Sequence, residues 1–260
     1  HRVSAMSYQL LYWPTIPGRG EFIRLAFEES GTPFTDMAQT ADPGTVVDEV
    51  MSTTTEVSPP SAGMNPPVLA VPVLRHDDVL ISQTANILMY LAPRIGLDGS
   101  RAVNATAVAP YHLNGIASTL LDGFVDELHD THHPTAVSLA YEDQIPEAKK
   151  RTRYFLSERL PKYLGYAQRV IDSPASGDGP WMYGGTLTYV DLVLFLCIDG
   201  TQFAFPKTMA KLKDSGQYNA VFELYDAVKT RPNIKAYLAS SRRQPYSNGI
   251  FRYYPELEDQ

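Results

Sequence analysis

The stretch that most constrains this chain runs from Val71 to Leu91 and reads VPVLRHDDVLISQTANILMYL. It opens with a short apolar strand, Val71 to Leu74. The polar turn His76-Asp77-Asp78 leads to a second apolar strand, Val79 to Ile81, so the pair reads as a two-stranded hairpin. Ser82-Gln83-Thr84 then starts a helix whose Ile87, Leu88 and Leu91 recur at helical spacing. Proline cannot donate to a sheet ladder, so Pro72 belongs at a strand start or an edge. With a cis bond before it, Val71 would turn its N–H and C=O outward, free to pair with an extended peptide. Gln83 and Thr84 offer amides and a hydroxyl at a helix N-terminus, which favours a carboxylate. An edge for a peptide backbone beside a pocket for a carboxylate suits a small acidic peptide. A plain hairpin with a Ser/Thr cap accounts for the same residues without a ligand.

The run V-P-V-L followed by S-Q-T-A-N-I-L-M-Y-L resembles the glutathione-binding signature of the cytosolic glutathione transferases. In that family a cis-proline strand is followed, at this spacing, by Gln-Ser and a helix. Thr84 stands where the family has serine and keeps the hydroxyl. The resemblance implies that Val71, Pro72, Gln83 and Thr84 bind glutathione.

A second likeness lies at the start of the chain. Tyr8 to Trp13 reads as a strand, Pro14 to Gly18 as a loop broken by two prolines and a glycine, and Gly20 to Ser30 as a helix stopped by Gly31. The run Y-W-P-T-I-P-G-R-G-E-F-I-R resembles the amino terminus of tyrosine-type glutathione transferases, nearest to a bacterial and fungal subgroup with a PGRGEF-type opening. Tyr12 matches the catalytic tyrosine, Gly18-Arg19 the pair that begins the first helix, and Arg24 a later helix arginine. The loop is one residue longer than the usual pattern. A free thiol has a pKa of about 8.5, so a phenol donating to the sulfur favours the thiolate. Bringing it to about 6.5 takes roughly 2.7 kcal/mol, the order that one good hydrogen bond and a helix N-terminus supply. Without a ligand, Tyr12 is an aromatic packing a strand. Thr15 is the competing candidate, because other branches of the family use a hydroxyl residue just after the first strand.

Phe34 to Ala38 reads as a second strand. Residues 42–67 read as a long loop with one short helix, Val46 to Met51. Many family members place a Trp or Lys here to pair with a glutathione carboxylate. This chain has neither, and Asn65 is the stand-in, by hydrogen bond. Pro93 to Ala109 reads as a linker. Tyr111 to Asp130 carries a long helix pattern, and its LDGFVDEL run resembles the family's fourth helix. There an acidic residue crosses the dimer interface to the ammonium group of glutathione. Asp126 matches it best, with Glu127 next to it; a solvated helix face is the plain alternative.

His129 and His133 stand four apart, as helical metal ligands do. With no Cys nearby and Pro134 ending the helix, His129, His132 and His133 are read as structural or electrophile-pocket histidines, and no metal is expected. Thr188-Tyr-Val-Asp191 reads as a capping-box variant and resembles the buried cap of the family's core helix. Cys197 reads as a buried hydrophobe. A lone cysteine, with none near Pro14 to Gly18, argues against a thiol-disulfide oxidoreductase.

Composition sets the remaining bounds. The 260 residues are 44% hydrophobic, enough for a sizeable core, and no apolar run reaches membrane-spanning length. The first residues, HRVSAMSY, lack an apolar signal core, Met6 reads as a natural start, and a cytoplasmic location is expected. The net charge of −7 argues against nucleic acid. It divides into −12 over residues 1–148 and +5 over residues 149–260, as two domains of different character would. The resemblance implies a thioredoxin-like α/β domain (6–93), an all-helical domain forming the electrophile pocket (105–240) and a tail packed on it (241–260). It implies a homodimeric transferase using glutathione as cosubstrate in conjugation of electrophiles, a detoxification chemistry. The alternative is a non-catalytic binding or scaffold protein with the same fold.

Overall fold

The computed structural model describes residues 7–55, 64–102 and 105–259. The expected domain start at residue 6, Pro59-Pro60 of the long loop, and Gln260 lie outside the described residues. Strand β1 (Tyr8–Leu11) is central. It pairs in parallel with β2 (Thr35–Asp36) and antiparallel with β3 (Val73–His76), which pairs with β4 (Val79–Ser82), giving the order β2-β1-β3-β4. Leu10 faces Leu74 and Leu74 faces Ile81 across this sheet. The β3–β4 turn bends at Asp77, whose φ is +54°.

Helix α1 (Gly20–Ser30) has the expected bounds and ends at Gly31 in the left-handed region, φ +68°, which suits a residue without a Cβ. It seals one sheet face with Phe22, Ile23 and Phe27, alongside Ile87, Leu88 and Leu91 of α4 (Thr84–Ile95). On the other face, Leu11, Tyr12 and Val73 pack with Val46 and Val50. Those valines belong to α3 (Pro43–Thr55), preceded by the short α2 (Met37–Thr40). The expected short helix is instead one of 13 residues, while residues 56–63 of the expected loop lie outside the described residues. Threonine is a weak helix former, and burial of the Val46 and Val50 stripe outweighs that preference.

The helical part begins with α5 (Ala109–Ser118), which runs through a π-helical segment (Thr119–Val125) into α6 (Asp126–His129). Helices α7 (Ile145–Tyr154) and α8 (Leu160–Ile171) are joined by a second π-helical segment, Phe155–Arg159, just before Pro161. A proline has no N–H to give to the preceding turn, and the widened turn absorbs that loss without ending the helix. Helix α9 (Tyr189–Ala204) is the core, buried on nearly all sides. Its capping box is formed: Asp191 accepts from the main-chain N–H of Thr188 at 2.7 Å and of Met182 at 2.8 Å. Cys197 is fully buried inside it. Helices α10 (Pro206–Asp214), α11 (Asn219–Lys229) and α12 (Pro232–Leu238) close the bundle, and α13 (Pro255–Glu258) ends it. No single helix among the described residues is long and apolar enough to cross a membrane.

The two parts are locked by buried charge. Glu21 of α1 is wholly buried and is met by Arg24, by the Tyr237 hydroxyl of α12 at 2.9 Å and by Arg243 at 3.1 Å. The tail does more than cover the helical domain. Arg242 and Arg243 reach back to Glu28 and Glu21 of α1, and Gly249 lies against Ile16 and Gly18. Beyond that crossing, Tyr254 stacks on Tyr141 at 3.7 Å and Phe251 fills the space beside Gly200.

Candidate functional site

A cavity of about 500 Å³ opens between the first domain and the α5–α6 helix. Pro72, Gln83 and Thr84 line one wall, Arg19 one end, and Asp122 and Asp126 the other wall. The sequence thus singled out five of its lining residues: Arg19, Pro72, Gln83, Thr84 and Asp126.

The first wall follows from local chain geometry. The Val71–Pro72 bond is cis, and Val71 lies outside the β3 ladder, which begins at Val73. Gln83 is exposed, caps α4, and holds φ +69° and ψ +122°. A non-glycine residue in that region costs about 1–3 kcal/mol and clusters at ligand sites. Its carbonyl accepts the first helical bond, from Ile87 N–H at 2.8 Å, while the first-turn N–H groups of α4 face forward without an intrahelical acceptor. Thr84 is buried beside them. Free amides and a hydroxyl at a helix N-terminus are the kind of setting that favours an anion.

The second wall is acidic. Asp126 pairs with Arg19 of the same chain, with 47% and 32% of their side chains exposed. The side chain expected to cross to a second subunit is thereby engaged within its own. Glu127 faces away, held by Arg159 at 2.7 Å and the Tyr163 hydroxyl at 2.7 Å. The lining also includes Asn114, Ser118 and Asp122, which the sequence reading missed. Their signal was present: 114, 118, 122 and 126 are four apart. In an α-helix such a row drifts slowly around the axis, and the wider π turn at 119–125 brings it back into line.

Tyr12 stands at the end of β1 and is buried, 6% exposed. Its hydroxyl oxygen accepts the main-chain N–H of Arg19 at 2.9 Å, and Arg24 lies 5.9 Å from its ring centre. It is not among the cavity's lining residues; Gly18 and Gly20 cover its hydroxyl and ring. Burial raises the phenol's pKa, and the Arg19 N–H works against that rise. Thr15 is exposed, with φ +67°. Asn65 does not reach the cavity. Its amide oxygen accepts from Leu80 N–H at 2.9 Å and its amide nitrogen donates to the Asp78 carbonyl at 2.7 Å, which ties it to the hairpin.

The histidines also lie outside the cavity lining. His132 and His133 are buried, and His132 bonds the Ile250 carbonyl of the tail at 2.7 Å.

Comparison with known proteins agrees with this geometry. Residues 129–241 match the family model described as glutathione S-transferase, C-terminal domain. A glutathione S-transferase of Plasmodium falciparum is 23% identical over 240 residues, covering 91% of this chain and 98% of that protein. A glutathione S-transferase P of Caenorhabditis elegans is 27% identical over 171 residues, covering 65% of this chain and 69% of that one. The solved Pi-class glutathione S-transferase of Onchocerca volvulus superposes with a TM-score of 0.64 at 21% identity, covering 90% and 92% of the two chains. The chain therefore has the glutathione transferase fold, a thioredoxin-like domain followed by a helical one. These parasite and nematode relatives do not bear on the bacterial and fungal subgroup.

Proposed function

We propose that this relative of the cytosolic glutathione transferases conjugates the glutathione thiolate to an electrophilic carbon of a small molecule, with Tyr12 stabilising the thiolate. The observation that carries the reading is the convergence, in one cavity, of Arg19, Pro72, the strained Gln83 with Thr84 at a helix N-terminus, and two aspartates. Glutathione carries two carboxylates and one ammonium, and this wall set offers donors for the former and acceptors for the latter. Val71, just before Pro72, offers its main chain to the peptide's own backbone.

The chemistry asked of the protein is modest. Binding fixes the sulfur beside the electrophile, which replaces a bimolecular encounter by a positioned one. The Tyr12 oxygen already accepts one N–H, so its proton is the group left to give. Accepting that bond polarises the phenol and makes it a stronger donor to an incoming thiolate. The sulfur attacks carbon, the leaving group departs with the electron pair, and no covalent bond to the protein forms. A homodimer is part of the proposal, as is Arg19 acting jointly with Asp126 at the cavity edge.

Calorimetric titration with glutathione, run beside a conjugation assay with a generic aryl halide, tests this. Binding with turnover is expected. Binding without turnover across a panel of electrophiles would return the chain to the non-catalytic reading, and no binding at millimolar glutathione would overturn the peptide site itself.

A further inference from the structure

We propose that His129, His132 and His133 form a binding site for a zinc-class divalent cation, with three imidazole ligands and a fourth position open. The site is separate from the glutathione cavity and does not depend on the transferase reading.

The geometry comes from the way α6 ends. His132 N–H and His133 N–H both fold back to the carbonyl of His129, at 3.2 and 3.3 Å, and Pro134 follows. Residues three and four apart share one face of a helical turn, and this close keeps the three rings together on it. Their centroids lie 4.9 Å apart for 129 and 132, 5.6 Å for 129 and 133, and 4.8 Å for 132 and 133. One nitrogen from each ring falls within 4.8 Å of the others. Two of the three rings, those of His132 and His133, are buried.

The tautomers can be assigned from the partners. A carbonyl has no proton, so in its bond to Ile250 the Nε2 of His132 is the donor. The Nδ1 of neutral His132 is then a bare lone pair, and it faces Nδ1 of His133 at 2.5 Å. His133 must supply the proton between them. A histidine whose outer N–H is held by a main-chain carbonyl, with its inner nitrogen free to accept, is the usual arrangement around a bound metal. A cation binding here would displace the proton shared by His132 and His133.

Charge decides how readily the exchange occurs. Asp130, 3.8 Å from the Nδ1 of His129, supplies outer negative charge. Arg252 opposes a cation. Its guanidinium turns to the Gly249 carbonyl and the Tyr254 hydroxyl and pairs with no carboxylate among the described residues. Imidazole suits zinc, copper, nickel and cobalt, and tetrahedral zinc with nitrogens at about 2.0–2.1 Å needs ligand atoms about 3.3 Å apart. The 132–133 pair must open and the widest pair must close, both by ring rotation. The ion would tie the end of α6 to the tail through Ile250, next to Gly249 and the loop over Tyr12.

The test uses the full chain, stripped with a chelator and titrated with Co²⁺ as a visible probe. Co²⁺ is expected to bind at one ion per chain and give the strong d–d bands of four-coordinate cobalt, which Zn²⁺ then abolishes. His129→Ala, at a partly exposed position that leaves the Ile250 bond intact, should weaken binding by roughly 10- to 100-fold with an unchanged melting temperature. Arg252→Gln should tighten it. Absence of four-coordinate bands, or binding that His129→Ala and His133→Ala leave unaltered, would overturn the site.

Discussion

The phenol oxygen of Tyr12 accepts the main-chain N–H of Arg19 at 2.9 Å, which leaves its proton as the group it can offer to another partner. The same backbone that orients the phenol also covers it, because Gly18 and Gly20 lie directly against the ring and its oxygen. Donor quality and access are therefore set by one short loop.

Tyr12→Phe removes the proton without removing the ring. Hydrogen bonds to charged groups contribute about 1.5–3 kcal/mol, so the pKa of bound glutathione should rise toward its free value and conjugation should slow by roughly 10- to 100-fold. Glutathione affinity should change little. Ultraviolet titration of the bound thiolate beside steady-state rates reads both effects. Unchanged turnover would transfer the role to Thr15 or to a main-chain amide.

Gly18→Ala tests access. Gly18 has φ +49°, and an added Cβ would overlap the Tyr12 hydroxyl. The change should cost about 1 kcal/mol or more of stability and reduce turnover at least as far as Tyr12→Phe does. Thermal melting and the conjugation rate measured together decide it. A variant as active as the parent would mean that the loop is free to move away from the phenol.

Much of this was legible in the sequence where the cause is local. Pro72, the 76–78 turn and Gln83-Thr84 announce themselves because proline, turn and cap chemistry act within a few residues. The cap at Thr188 and Asp191 was legible for the same reason. What escaped was set at a distance. Arg19 and Asp126 are 107 positions apart, so their pairing leaves no spacing signal. The Asn65 bonds to 78 and 80 likewise depend on how the incoming chain lies across β4. The π turns carry no composition of their own, and the tail's crossing to α1 depends on Arg242 finding Glu28 214 positions earlier and Arg243 finding Glu21 on the same helix.

Arg24 ties that loop to the rest of the fold. It is 1% exposed, its Nε donates to Asp36 at 2.5 Å, and its Nη1 donates to the Pro17 carbonyl at 3.1 Å. Asp36 and Glu21 are themselves buried. Arg24→Met would fill the space but leave buried Asp36 without its cation and Glu21 with Arg243 alone, a class of change that costs about 3–5 kcal/mol. Denaturant unfolding should show a midpoint shift of that size, and the double change with Asp36→Leu should recover part of it. A small shift for Arg24→Met alone would mean that Arg243 and Tyr237 suffice to hold Glu21.

Asp191 gives the fold a pH dependence of identifiable sign. The carboxyl is fully buried in the cap of α9, and burial pushes its pKa up to about 7, against the N–H bonds from Thr188 and Met182 that favour the charged form. An unfolded aspartate titrates near 3.9. Between those values the folded chain holds more protons than the unfolded chain, so this group's contribution falls as pH rises and is fully lost above about 7. The difference is on the order of 4 kcal/mol across that window. Asp191→Asn cannot titrate, and its amide must turn one N–H₂ toward the N–H donors, so the variant should be less stable than the parent at low pH. Because other groups titrate alike in both proteins, the gap between them isolates this carboxyl. The gap should narrow steadily from pH 4 to pH 7 in urea unfolding series. A gap that stays constant would mean that the cap's hydrogen bonds keep Asp191 ionised throughout.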